Sequence, residues 1–250
     1  MARRPSEVPG RVLRELNRGT RETANLAEAL AIDPLELLGA AAPDALDAAR
    51  EAIEPGDKIT KLTKKIGEAC FSSLGARKSA ALAKHPSDTV RSWACYAIAA
   101  NTRLSFSAKL DRIRPLADDP HFGVREWAWI AIRDELIEQL DEALALMTPW
   151  TVERSANLRR FASEATRPRG VWCAHIRALR EDPAPALPIL EPLRSDQSKY
   201  VQDSVANWLN DASKDRPEWV VEITDRWLAE SSSAETARIV RRARRTLDRH

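Results

Sequence analysis

Four stretches of this chain carry one apolar pattern. Val90, Trp93, Ala94, Ala97 and Ile98 fall at i, i+3, i+4, i+7 and i+8, the spacing of a buried helix face. The pattern returns 34 residues later as Val124, Trp127, Ala128, Ala131 and Ile132, and after 34 more as Leu158, Phe161, Ala162 and Ala165. Val201, Val205, Trp208 and Leu209 repeat it once more, 43 residues on. Ahead of the second copy runs a further helical stretch, Leu110, Ile113 and Leu116, broken by Asp119-Pro120. Leu187 to Leu193 takes that place before the fourth copy, with Asp196 at its break.

A helix pair recurring at this period, with Val-Arg-x-x-Ala opening its second helix, marks HEAT-like repeats. Such repeats stack into a curved solenoid whose second helices line the concave side. The expected fold is therefore all-α, a HEAT-like helical-repeat solenoid with a concave basic groove. Only Gly123 and Gly170 lie beyond Gly75, and no alternating Val/Ile/Thr segments occur, which excludes a glycine-rich phosphate loop and a strand-built sheet. Pro34, Gly39, Pro43, Pro55 and Gly56 cut the first part into short helices. An N-terminal helical module is expected over 1–80 and the repeat domain over 81–250, the two running on as one solenoid.

The 250 residues have a formal net charge of +2, but the charge is unevenly placed. Between Pro149 and Arg180 stand Arg154, Arg159, Arg160, Arg167, Arg169, Arg177 and Arg180 against only Glu153 and Glu164. From Thr236 six more arginines face Asp248 alone. Patches like these suit a polyanion, although a basic C-terminal helix is also a common solvated feature. Cys70, Cys95 and Cys173 are widely spaced and form no CxxC pair, which argues against a disulfide framework or zinc site. His85, His121, His175 and His250 show no ligand spacing. No apolar run suggests a signal peptide or membrane span, so a cytoplasmic protein without metal or cofactor is expected.

Aligning the repeats shows which residues share a face off the buried stripe. The second and sixth residues after each leading Val or Leu are four apart: Ser92 and Tyr96, Glu126 and Ile130, Arg160 and Glu164, Asp203 and Asn207. In the last two copies the face continues to Arg167, and to Asn210 and Asp211. Under regular stacking Glu126, Glu164 and Asn207 line adjacent rungs of one groove. Taken alone, the Arg160, Glu164, Arg167 row also reads as an ordinary helix salt-bridge ladder. Trp93, Trp127 and Trp208 fall on the core stripe, while Trp129 falls off it and is expected to face the groove.

Three runs carry a resemblance. They are Phe161-Ala-Ser-Glu-Ala-Thr-Arg-Pro-Arg-Gly-Val-Trp172, Asp182-Pro-Ala-Pro-Ala-Leu-Pro-Ile-Leu-Glu191, and Tyr200-Val-Gln-Asp-Ser-Val-Ala-Asn-Trp-Leu-Asn-Asp-Ala-Ser-Lys-Asp-Arg-Pro217. Together they resemble the AlkC branch of the AlkC/AlkD DNA glycosylases, over about residues 86 to 228. Ala165 stands where that branch usually has glycine, and Gly170-Val171 replaces Leu-Pro. The immunoglobulin-like domain that AlkC proteins tend to carry has no strand-like counterpart before His250.

The resemblance implies a DNA N-glycosylase that excises positively charged alkylated bases, of the 3-methyladenine, 7-methylguanine or 3-methylcytosine type, in base excision repair. It implies Glu164, Trp172 and, from the preceding repeat, Glu126 as lesion-pocket residues. Double-stranded DNA with alkylated bases is the implied partner of a monomeric, nucleoid-associated protein. A cationic base needs no general acid; the sugar cation left behind needs a carboxylate, which also positions water. Glu164 takes that role with Glu126 in support, and Trp172 lies against base or sugar. Arg160 and Arg167 either pair with Glu164 or hold phosphates. Arg159, Arg169, Lys199, Asn207, Asn210 and Lys214 are expected along the DNA. The alternative is a non-catalytic HEAT-repeat protein that binds DNA structure or a protein partner.

Overall fold

The computed structural model describes residues 4–170 and 172–249; Val171 of the Arg-Pro-Arg-Gly-Val-Trp run and His250 lie outside them. Among the described residues every regular element is helical. The chain divides into two compact units, Met1–Ile132 and Arg133–His250.

The first unit contains α1 (Gly10–Asn17), α2 (Leu26–Ala31), α3 (Pro34–Ala41), α4 (Leu46–Ala52), α5 (Ile59–Ala81), α6 (Asp88–Ala99), α7 (Phe106–Ala117) and α8 (Phe122–Ala131). Short polar side chains start several of them. Asn25, Asp33 and Ser105 accept hydrogen bonds from free N–H groups in the first turns of α2, α3 and α7. The boundary expected near residue 80 falls at the end of α5, inside this unit, because α5 packs along α6. Gly67 makes that approach possible: a Cβ there would lie 2.4 Å from Cβ of Tyr96 and 2.7 Å from the Trp93 carbonyl oxygen. Gly75, at φ 71°, breaks the helical path of α5 in the left-handed region that glycine enters freely.

The second unit contains α9 (Arg133–Glu138), α10 (Leu140–Met147), α11 (Ala156–Ala165), α12 (Arg177–Glu181), α13 (Leu187–Leu193), α14 (Lys199–Ala212), α15 (Pro217–Glu230) and α16 (Ala234–Ala243). Its core includes Phe161, Trp208 and Trp227 with Ile189, Leu190 and Leu193 of α13. Trp150 lies against Phe161 with ring centroids 5.0 Å apart. At the far end Asn210 leaves the expected DNA face: its Nδ2 donates to the Ala243 carbonyl at 3.0 Å and to Thr246 Oγ1 at 2.8 Å. An amide this buried is satisfied internally and ties α14 to the C-terminal end of α16.

The repeated arginine explains why the sequence signature is Val-Arg. In Arg91, Arg125 and Arg159 one Nη donates to the carbonyls six and five residues earlier, at 2.7 to 3.1 Å. Each guanidinium thus closes the loop ahead of its own helix. Arg91 also grips Asp119, and Arg159 grips Asp196 through Nε at 2.6 Å and Nη2 at 3.0 Å. Arg159 therefore braces the repeat rather than reaching outward to phosphate.

The core stripe holds through α6, α11 and α14 and shifts in α8. There Trp129 is 2% exposed, with its indole N–H donating to Glu126 Oε2 at 3.0 Å. Trp127 is half-buried against Tyr96, ring centroids 6.1 Å apart. Trp129, expected off the core, is buried, and Trp127, expected in it, is only half-buried. A carboxylate three residues before Trp129 gives its N–H a partner, which allows the indole to be buried.

Candidate nucleic-acid interface

The end of α11 presents a charged cluster that starts from one acid. Glu164 is 4% exposed. Its Oε1 accepts from Arg167 Nη1 at 2.7 Å, and its Oε2 accepts from Ser204 Oγ at 2.7 Å with Arg160 Nη2 at 3.5 Å. Burial alone would raise its pKa. The positive charges of Arg160 and Arg167, with hydrogen bonds from Ser204 and Arg167, outweigh that cost and hold the carboxyl below its usual range.

Arg167 extends the cluster to α14. Its Nε and Nη2 both donate to Asp211 Oδ2, at 2.9 and 2.7 Å. Lys214 Nζ reaches Asp211 Oδ1 at 3.2 Å. The guanidinium of Arg160 lies 4.4 Å over the Tyr200 ring, a cation–π contact on the same α14. Two acids, Glu164 and Asp211, are thus interleaved with Arg160, Arg167 and Lys214. The helical spacing that put Arg160, Glu164 and Arg167 in one row is realised, as pairing with Glu164.

Beyond α11 the chain forms a loop pinched where Ile176 N–H donates to the Pro168 carbonyl at 3.0 Å. Trp172 sits in it, 56% exposed. Alone among the described non-glycine residues it has positive φ, 65°. For a bulky side chain that conformation costs about 1–3 kcal/mol and persists only where surroundings enforce it. Here Arg133 enforces it. Its guanidinium is 1% exposed and donates to the carbonyls of Ala165, Arg167 (2.5 Å) and Ala174 (3.1 Å). The chain is thereby clamped on both sides of Trp172.

A second rung follows the first. Arg169, two residues beyond Arg167, chelates Asp215, four beyond Asp211, through Nε at 3.0 Å and Nη2 at 2.7 Å. Lys199 is exposed at the start of α14, and Asn207 accepts from Arg245 at 2.9 Å. Glu126 belongs to the first unit, where it holds Trp129.

Asp211 and Arg133 are the cluster members that sequence reasoning underused. Asp211 had a signal, lying at i+8 from Asp203 on the face already traced through Asn207. Arg133 had none, since a lone arginine after a core stripe reads as a solvated helix start. Among the described residues no group of three or more His, Cys, Asp or Glu is arranged to hold a metal ion. No described helix is long and apolar enough to cross a membrane.

The all-helical repeats and this cluster define a helical-repeat protein with arginines and carboxylates interleaved at the end of α11. Residues 124–247 match the family described as "DNA alkylation repair enzyme". It is 41% identical over 137 residues to YhaZ of Bacillus subtilis (strain 168), a match spanning 55% of this chain and 37% of YhaZ. The fold superposes on Pseudomonas fluorescens alkylpurine DNA glycosylase AlkC, bound to DNA containing an abasic site analog. That match has a TM-score of 0.71 at 24% identity and covers 99% of this chain and 66% of that one. AlkD2 from Streptococcus mutans superposes with a TM-score of 0.55 at 21% identity, over 79% of this chain and 87% of AlkD2.

Proposed function

We propose that this chain is a DNA N-glycosylase that releases positively charged alkylated bases, of the 3-methyladenine, 7-methylguanine or 3-methylcytosine type, from double-stranded DNA. The observation that carries the reading is a carboxylate, Glu164, kept ionised by Arg160 and Arg167 beside a loop that presents an exposed, conformationally constrained tryptophan. The match of residues 124–247 to the DNA alkylation repair family and the likeness of fold to a DNA-bound glycosylase support it.

The chemistry follows from the charge on the lesion. The base leaves as a neutral molecule, so the protein's task is to stabilise the sugar cation and direct water to it. Glu164 supplies negative charge for that cation, and Asp211 reinforces the field through the shared Arg167. The indole of Trp172 offers a π face to the cationic base, an attraction of about 0.5–2 kcal/mol. Glu126 is a further candidate carboxylate, assessed by its own substitution. No metal enters any step.

A second reading has its own observation: both Glu164 oxygens are engaged and the side chain is buried. That is how a carboxylate looks when it serves packing in a protein that binds DNA without cutting the base free. Incubating the protein with methylated duplex DNA and quantifying released bases separates the two. The glycosylase reading requires release by the wild type and a loss of about 100-fold or more in Glu164→Gln, typical of removing a charge stabiliser. Binding without release establishes the second reading. Release at an unchanged rate by Glu164→Gln and Glu126→Gln refutes the assigned mechanism.

A further inference from the structure

Asp215 is the hinge of a second, outward-facing cluster. Its two oxygens accept four hydrogen bonds, from Nε and Nη2 of Arg169 at 3.0 and 2.7 Å and from Nε and Nη2 of Arg180 at 3.0 and 2.9 Å. Hydrogen bonds from Arg180 and Arg169 hold its carboxyl well below the usual carboxylate range. One acid therefore fixes two guanidiniums side by side, leaving Nη1 of each without a described protein acceptor.

These groups edge an open cleft of about 360 Å³ lined by Arg177, Arg180, Glu181, Asp215 and Arg216. Arg177 is exposed and meets Glu181 at 2.6 Å; Arg216 is exposed and makes no side-chain bond to any described residue. With Arg169 included, four guanidiniums face two carboxylates. The local excess is positive, and the donors are planar forks suited to phosphate oxygens. Salt bridges alone do not account for it, since Asp215 is saturated and Arg216 unpaired.

We propose that this cleft binds a backbone phosphate of the DNA, with Arg180 and Arg216 as principal donors, Arg177 flanking them and Asp215 as the residue that orients Arg180. The inference rests on the DNA-binding part of the reading above and adds a phosphate anchor to it. Arg169 and Asp215 follow Arg167 and Asp211 by two and four residues, in the turns after α11 and α14, so the anchor would hold backbone next to the Glu164 cluster. Phosphate contacts of this kind fix register and carry no sequence information.

The test is the salt dependence of binding to undamaged and methylated duplex, comparing wild type with Arg216→Ala, Arg177→Ala/Arg216→Ala and Arg216→Lys. Each lost phosphate contact flattens the slope of log K against log salt by about 0.9. Arg216→Ala is expected to bind about 3-fold less salt-dependently between 50 and 200 mM, equally on both duplexes, with Arg216→Lys close to wild type. Slopes equal to wild type in both alanine variants overturn the proposal while leaving base release untouched. A flattened slope in a protein that releases no base keeps the anchor and removes the glycosylase. A wild type without DNA affinity removes both.

Discussion

Arg167 joins Glu164 to Asp211: one guanidinium lies 2.7 Å from Oε1 of the first and 2.7 Å from Oδ2 of the second, with all three side chains nearly out of solvent. Removing the cation leaves two buried acids with only the more distant Arg160 and the half-exposed Lys214 as counter-charges, where breaking a buried pair outright costs about 3–5 kcal/mol. Arg167→Met is therefore expected to lower the urea midpoint sharply. Glu164→Gln, which keeps shape and one hydrogen-bonding oxygen and leaves Arg167 paired with Asp211, is expected to cost much less. Equal midpoints for Arg167→Met and wild type would show that the bridge contributes nothing.

Glu164 also makes stability depend on acid. Burial opposes its charge, yet Arg160, Arg167 and Ser204 together bring its pKa below the usual value, near 4.3 for a free glutamate. Folding then favours the ionised form. The stabilisation is fully present above the unfolded value and is lost as pH falls through the lower folded one. The difference in unfolding free energy between wild type and Glu164→Gln should hold steady from pH 7 to about 5 and shrink below the ordinary carboxylate range. Base release that requires the ionised acid should likewise stay flat down to about pH 5. A rise in the stability difference on acidification would reverse the assignment.

Much of this was legible in the string of residues, and the limits have physical causes. The all-helical repeat pattern was readable because buried stripes at i, i+3, i+4 and i+7 report one helix face directly, and the row Arg160, Glu164, Arg167 followed from the same period. The tryptophans of α8 were not: Trp129 is buried because Glu126 receives its N–H, a partner that periodicity does not see. Arg159 and Asn210 looked like DNA contacts because polar residues beside a basic stretch read as surface. Their carbonyl and carboxylate partners lie five to thirty-seven residues away and appear only on folding.

Gly67 tests how closely α5 and α6 must approach. A methyl group there meets Cβ of Tyr96 at 2.4 Å and the Trp93 carbonyl at 2.7 Å, and a carbonyl has no rotamer by which to move aside. Helix propensity favours alanine by about 1 kcal/mol, but overpacking of this kind costs typically 1–3 kcal/mol, so the clash is expected to win. Gly67→Ala should unfold at lower urea than wild type. A stabilised variant would mean that the two helices separate without loss.

Arg133 holds the constrained loop. A guanidinium without a carboxylate partner, satisfied by the carbonyls of Ala165, Arg167 and Ala174, acts on both ends of the segment that carries Trp172. Arg133→Met fills similar space but leaves three carbonyls unpaired, each worth about 1–3 kcal/mol if it stays buried. The chain escapes most of that loss by opening the loop to water, and Trp172 then relaxes from its positive φ. Trypsin should therefore cut after Arg169 at least about ten-fold faster in Arg133→Met than in wild type, a population shift of about 1.4 kcal/mol. Arg133→Lys, with one compact head group for three acceptors, should fall between the two. Cleavage after Arg169 at the wild-type rate in both variants would mean that the loop keeps its shape without the clamp.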